Sequence, residues 1–370
     1  MTRRRLTTLS LLCLAILSAN PAAAVQRSLV IHGGGAGGAA ALERFVALAG
    51  GPEARIVVVP TAAGQESYDG FDHLVMRRFR GLGAADVRVL HAATRSEADR
   101  EAFAAGIDAA SGIWFTGGRQ WRLADTYLGT KAEEAMHRLL GRGGAIGGGS
   151  AGATVQGSYL VRGDTRGAHR TMGDHERGFG FLPGVAIDQH LLARNRHIDL
   201  LEVIRARPDL LGIGVDENTA IVVTGDRFEV VGEGYVAIYD PAIVLNGGHF
   251  YFLRSGDRFD LQRRVAYRAA DGGELWIPEI RPPLELDRAE RQHYEGFYTD
   301  GNVWLEIGEG RDLVVRTSDG DTTAIRPVTR AAFVDTYSGE KVTFVLRDDG
   351  CVAGVQWLAG GDRVELRKVD

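Results

Sequence analysis

The 370-residue chain is 45% hydrophobic, long enough for about two domains with substantial cores. Its 43 Lys and Arg against 48 Asp and Glu give a net charge of −5, and no basic run offers a footing for nucleic acid or an anionic membrane surface. Two cysteines exclude a disulfide framework.

In chain order, "MTRRRLTTLSLLCLAILSANPAAAVQRS" places three arginines before an apolar stretch and small residues ending at Ala22–Ala24. That pattern predicts a secretory signal peptide over residues 1–24, cleaved after Ala24, and a secreted or periplasmic protein with no membrane span after cleavage. An uncleaved anchor fits less well, and so does a lipoprotein attached through Cys13, which lies inside the apolar core. Cleavage leaves Cys351 as the one cysteine, so no intramolecular disulfide is expected.

From Ser28 to about Asp271, short β-branched runs alternate with alanine-rich amphipathic segments. "SLVIHGGG" reads as a strand entering a glycine turn, "AALERFVALAG" as a helix and "ARIVVVPTA" as the next strand. The pairs "HLVMRRFRGLG" and "ADVRVLHA", "EADREAFAAGIDAA" and "GIWFTGG", and "KAEEAMHRLLGRG" and "GAIGGGS" repeat the pattern. Such alternation predicts an α/β fold, a mostly parallel sheet with helices on both faces and the loops after its strands along one edge. "TAIVVTG", "RFEVVGEGYVAIYD" and "IVLNGGHFYFLRSGDRFDL" read as strands and hairpins added at the far end of that sheet.

The predicted α/β domain spans residues 25–275. A Pro-rich linker, 276–289, follows with Pro278, Pro282 and Pro283. Residues 290–370 then carry about seven short strand-like runs, punctuated by Asp300-Gly301, Asp319-Gly320 and Asp349-Gly350, which are tight-hairpin dipeptides. They read as a small all-β barrel or sandwich.

Chemistry concentrates around Gly148-Gly149-Ser150-Ala151-Gly152, a G-x-S-x-G sequence between a predicted strand and a predicted helix. In that context it reads as a nucleophile elbow, a strained turn that tolerates only small neighbours and exposes the serine hydroxyl. A tight structural turn would look similar, as would a phosphate loop, although no lysine follows in the phosphate-loop position. A serine nucleophile needs a base and an orienting acid. His190, directly after "GVAI" and "DQ", is expected where a parallel strand finishes on the same sheet edge as Ser150. Asp216 and Glu217 offer carboxylates in the turn of "GIGVDENTA".

The stretches "FTGGRQWRL", "GGGSAGA", "GFGFLPGVAIDQH" with "ARNR", and "GIGVDENTA", in that order, resemble the cyanophycinase family of serine peptidases, relatives of the α-aspartyl dipeptidase called peptidase E. The resemblance covers about residues 27–270 and implies a class I glutamine amidotransferase-like fold. It implies Ser150 as nucleophile, His190 as general base and Glu217 as its orienting acid, with Asp216 in reserve. It also associates Gln120, Asp188, Gln189, Arg194 and Arg196 with substrate binding. An oxyanion hole is expected from Gly117, Gly118 and the backbone N–H of Ala151. No cofactor is implied, and no clustered His or Cys spacing suggests a metal.

The family's polymer, cyanophycin, has a poly-aspartate backbone with β-linked arginine, and its cleavage yields β-Asp-Arg dipeptides. The resemblance therefore implies a peptide or cyanophycin-like polymer as partner, and a possible homodimer. Arg119 stands where many members carry Asp, which favours a more acidic aspartyl or isoaspartyl peptide. A non-catalytic peptide-binding module is the competing reading. More weakly, the C-terminal segment is similar to small β domains appended to some secreted hydrolases.

Overall fold

The computed structural model describes residues 27–270, 272–275, 284–310, 312–336, 340–359 and 362–369. The expected signal peptide and the prolines of the expected linker lie outside the described residues.

Four largely apolar runs and an alternating edge strand form the parallel core of a first sheet: β1 (Ser28–His32), β2 (Arg55–Val59), β4 (Gly112–Phe115), β5 (Ala145–Gly149) and, at the edge, β3 (Asp86–Val89), in the spatial order β1-β5-β4-β2-β3. Successive residues of a strand point to opposite faces, and both faces here are covered. Leu29 and Ile31 of β1 join one buried layer with Phe115, Leu123 and Leu139; Val30 joins the other with Phe45, Phe79 and Trp114. Those three aromatics meet in edge-on and tilted contacts with ring centroids 5.0–5.5 Å apart. This double burial explains why the strands read as continuous apolar runs rather than alternating ones.

After β5 the chain leaves this sheet. β6 (Gly157–Tyr159), β7 (Leu182–Gln189) and β8 (Leu211–Val215) are parallel strands of a second sheet. β9 (Thr219–Thr224) and β10 (Arg227–Gly232) return to the first sheet, with β9 antiparallel to β1. β11 (Val236–Tyr239) and β12 (Tyr251–Leu253) complete the second sheet in the order β12-β11-β8-β7-β6, and β13 (Arg258–Asp260) and β14 (Val265–Tyr267) extend the first beyond β10. The expected α/β architecture is therefore present, with two corrections. Of the runs expected at the far end of the first sheet, those forming β11 and β12 belong to the second sheet instead. The strand before His190 lies not in Ser150's sheet but in the second one, so the two residues meet across the junction of two sheets. An apolar run such as "GVAI" carries burial information but no information about which sheet takes it.

The C-terminal segment is a closed barrel of eight antiparallel strands: β15 (Gly296–Thr299), β16 (Trp304–Gly308), β17 (Leu313–Thr317), β18 (Thr322–Pro327), β19 (Ala332–Asp335), β20 (Lys341–Leu346), β21 (Val352–Ala359) and β22 (Asp362–Val369), closed by β15 pairing with β22. Closure removes the open edges that a sandwich would leave. Alternate residues Tyr298, Leu305, Ile307, Val315, Phe333 and Phe344 fill its interior. The three Asp-Gly dipeptides fall between β15 and β16, β17 and β18, and β20 and β21, and in each the glycine has positive φ. Residues 284–289, read as the end of a linker, belong to the barrel: Leu286 is part of its core, and Asp287 and Glu290 form a capping box on the helix Arg288–Gln292.

Among the described residues no helix is long and apolar enough to cross a membrane. Cys351 is exposed and unpaired in any disulfide.

Candidate active site

Ser150 sits between β5 and the short helix Ala151–Thr154 with φ 56° and ψ −115°, a conformation that costs a residue with a side chain roughly 1–3 kcal/mol. The surrounding glycines are there because backbone approaches backbone. A Cβ on Gly152 would lie 2.3 Å from the Phe115 carbonyl oxygen, and one on Gly148 would lie 2.4 Å from that of Gly152. The Ser150 N–H donates to the His32 carbonyl at 3.0 Å, which ties the turn to the end of β1. The Ala151 N–H opens a helix and so has no acceptor within it.

His190 follows β7 with φ 55° and is 6% exposed. Its Nε2 lies 2.8 Å from Ser150 Oγ and its Nδ1 lies 2.5 Å from Glu217 Oε1. A carboxylate at Nδ1 fixes the proton there, so Nε2 is the acceptor for the serine hydroxyl. Three backbone bonds assemble this line. The His190 N–H donates to the Gly33 carbonyl at 3.0 Å, the Asn218 N–H to the Gly34 carbonyl at 2.8 Å, and the Gly33 N–H to the Thr219 carbonyl at 2.9 Å. The imidazole lies flat over Gly34, where a Cβ would come within 2.3 Å of Cε1. Asp216 has a different position. Its Oδ1 accepts from the N–H groups of Leu192 and Ala193 at 3.0 and 3.1 Å, closing the turn after His190.

Burial holds the His190 imidazole below its ordinary pKa, and the charges of Arg194 and Arg196 act in the same direction, against the hydrogen bond that its Nδ1–H donates to Glu217. It is therefore unprotonated at neutral pH and able to accept a proton.

Gly117 lies alongside the serine: a Cβ there would start 3.3 Å from Ser150 Cβ. Gly118 turns at φ 144° against the Ala62 carbonyl. The positions associated with substrate binding divide into two groups. Gln120 is 2% exposed and its amide donates to the Val161 carbonyl at 2.7 Å. Asp188 is fully buried and receives the Arg162 guanidinium in a fork, Nε to Oδ1 at 2.9 Å and Nη2 to Oδ2 at 2.8 Å. Gln189 and Arg196 are buried and bonded to each other, with Arg196 Nη1 donating to the Gln189 backbone carbonyl at 3.0 Å and side-chain oxygen at 3.1 Å. Arg194 alone of the five is exposed. Arg119 is half-buried, and its guanidinium donates to the Asp164 carbonyl at 2.9 Å.

Three participants escaped the sequence reading. Arg162, with φ 58°, also bonds Asp199 at 2.5 Å, and no motif signals it. His32 and Gly34 had a signal: "IHGGG" ends a strand on the edge where loops of such sheets gather. His32 and Gly149 end paired strands, and both residues line an open cleft of about 190 Å³ beside Ser150. Among the described residues no group of three or more His, Cys, Asp or Glu side chains could hold a metal ion.

Burial, then the charges of His190 and Arg78, lowers the His32 pKa to about 4. The folded state thus prefers neutral His32, and protonation favours the unfolded chain. This contribution is complete above about pH 6.5 and is lost as pH falls toward 4, amounting to about 3 kcal/mol. Urea unfolding at stepped pH is expected to show that slope, and His32→Leu to flatten it; an unchanged slope in the variant would assign the acid sensitivity elsewhere.

The family model of Peptidase family S51 matches residues 28–231, more than half of the chain. The cyanophycinase of Trichormus variabilis is 32% identical over 248 residues, covering 62% of this chain and 82% of the relative. That of Geminocystis herdmanii is 34% identical over 238 residues, covering 59% and 87%. A solved peptidase from an acI-B1 Actinobacterium shares the fold, with a TM-score of 0.52 and 24% identity over 64% of this chain and 98% of that one. The residues matched by the family model all lie in the α/β region, before the barrel. The chain belongs to peptidase family S51 and is a serine-type peptidase.

Proposed function

We propose that the protein hydrolyses aspartyl peptide bonds through an acyl-enzyme. The hydrogen-bonded line from Ser150 through His190 to Glu217 at a strained strand-to-helix turn carries this reading. Ser150 Oγ attacks the scissile carbonyl while His190 Nε2 takes its proton, and Glu217 stabilises the imidazolium that forms. The backbone N–H of Ala151 and the Gly117-Gly118 turn receive the oxyanion. The leaving amine takes the proton from His190. Water, activated by the same imidazole, then releases the acyl group and restores Ser150.

Relatives named cyanophycinase make cyanophycin the first candidate substrate. The N-terminal sequence supports secretion, which suits an enzyme whose polymer is too large to import. A second reading, a different aspartyl or isoaspartyl peptide, is favoured by the bonds around Asp188. Asp188 is fully buried and its carboxylate already accepts the Arg162 fork and the Gln189 N–H, so it is not presented to an arginine-bearing substrate. Mass spectrometry of cyanophycin digests decides between them. Release of β-Asp-Arg by the wild type and not by Ser150→Ala supports cyanophycin. Turnover confined to an Asp/isoAsp peptide library supports the second reading, and binding without turnover of either would leave only the peptide-binding module.

A further inference from the structure

The cleft beside Ser150 is bounded on one side by the loop after β1 and on the other by the first turn of the helix Leu74–Gly81. Its polar lining consists of Arg78, His32, His73, Thr116 and Ser150, against apolar walls that include Leu42 and Trp114, and no Asp or Glu lines it. Arg78 spends two donors on the loop, Nη2 to the Ala36 carbonyl at 2.8 Å and Nη1 to the Gly37 carbonyl at 3.3 Å. A guanidinium has five donors, and no carboxylate pairs with this one among the described residues. The neighbouring Arg77 and Arg80 both pair with Asp72. His32 is 6% exposed and its Nε2 has no hydrogen-bond partner, an arrangement that leaves a buried polar atom unsatisfied. His73 Nδ1 accepts the Val75 N–H at 3.2 Å, so a neutral His73 carries its proton on Nε2 as a donor.

We propose that this cleft is a carboxylate subsite, in which Arg78 supplies the charge and the two imidazoles line the pocket for an acidic group of the substrate next to the scissile bond. The inference rests on the aspartyl-peptidase reading for its role in catalysis, but not for its chemistry. One unpaired cation and neutral imidazoles, with no carboxylate in the lining itself and Glu217 engaged by His190, favour an anion. The positive end of the helix acts in the same direction. A guanidinium fixed by two backbone carbonyls is also pre-organised, so little side-chain entropy is lost when it binds.

The test separates binding from turnover. Ser150→Ala protein is titrated calorimetrically with Ac-Asp-Asp-Ala-amide and with Ac-Asn-Asn-Ala-amide. The acidic peptide is expected to bind roughly 10- to 100-fold more tightly, the range of a charge-assisted hydrogen bond. Arg78→Met in the same background is expected to remove that difference, and Arg78→Lys to restore part of it, with the melting temperature of each variant reporting on the loop. Equal affinity for the two peptides overturns the subsite, as does failure of the acidic peptide to bind at millimolar concentration. Equal weakening of both peptides by Arg78→Met also overturns it, because that is the mark of a loop support. Hydrolysis of either peptide by the wild type is read in parallel. Turnover without acid selectivity removes the subsite and keeps the hydrolase, whereas acid-selective binding without turnover does the reverse.

Discussion

Ser150→Ala is expected to lower kcat/KM by about four to six orders of magnitude with little change in the fold, as in enzymes whose nucleophile and base act as one unit. The argument is geometric. Oγ is the atom 2.8 Å from His190 Nε2, and removing it leaves the imidazole with nothing to deprotonate but water. The residual rate over the uncatalysed reaction would come from the oxyanion donors and substrate binding. Alanine keeps the Cβ, and so keeps the cost of φ 56°; the melting temperature should therefore move little. Ser150→Gly offers the contrast, since glycine relieves that strain and the inactive protein should become slightly more stable. Single-turnover assays and calorimetry on the three proteins check both halves. A loss of less than tenfold in Ser150→Ala would reject Ser150 as the nucleophile.

Much of the site was legible because its chemistry sits at the ends of strands, where short motifs and backbone geometry coincide. Ser150 stood out because only glycine and alanine surround it, and the structure shows the reason in the approach of Gly152 to the Phe115 carbonyl. Glu217 and Asp216, adjacent in one turn, could not be ranked by residue type. Their separation depends on which side of the turn faces His190, and the Asn218 bond to the Gly34 carbonyl sets that orientation across 184 residues of sequence. The second sheet was not legible, because burial on both faces erases the alternation that would distinguish one sheet from another. Buried ion pairs were the hardest part. Arg196, associated by its motif with substrate binding, lies 9% exposed and bonded to Gln189, and Arg162 reaches Asp188 from a loop with no periodic pattern at all.

The charge around the site has a consequence for how substrate is held. Asp188 and Asp199 share the Arg162 guanidinium, and Arg196 Nη1 lies 3.9 Å from Asp188, so two cations offset two carboxylates and the network shapes the chain entering His190. Asp188 Oδ1 also accepts the Gln189 N–H at 2.9 Å, the last backbone group before the positive-φ turn at His190. Buried pairs of this kind add specificity of conformation more than net stability. Neither Arg194 nor Arg78 pairs with a carboxylate among the described residues. Arg194, whose charge reaches the His190 imidazole, favours acidic groups over cationic ones there.

Glu217→Gln is expected to reduce kcat by about three to four orders of magnitude with KM nearly unchanged, because the carboxylate acts on the imidazole rather than on substrate. Two effects combine. Glutamine can offer an amide N–H to His190 Nδ1, which places the imidazole proton on Nε2 and blocks acceptance from Ser150. It also withdraws the negative charge that stabilises the imidazolium as Ser150 loses its proton. Asp216→Asn is the control with the same charge change. Its Oδ1 can still accept from Leu192 and Ala193, so activity should stay within a few-fold. The pH profile carries a signed check. His190 already lies below its ordinary pKa through burial, and the Glu217 carboxylate acts to raise it. Removing Glu217 should move the acid limb of kcat/KM to still lower pH, so the small remaining activity persists further into acid than in the wild type. An acid limb shifted upward, or a larger loss in Asp216→Asn than in Glu217→Gln, would transfer the orienting role to Asp216.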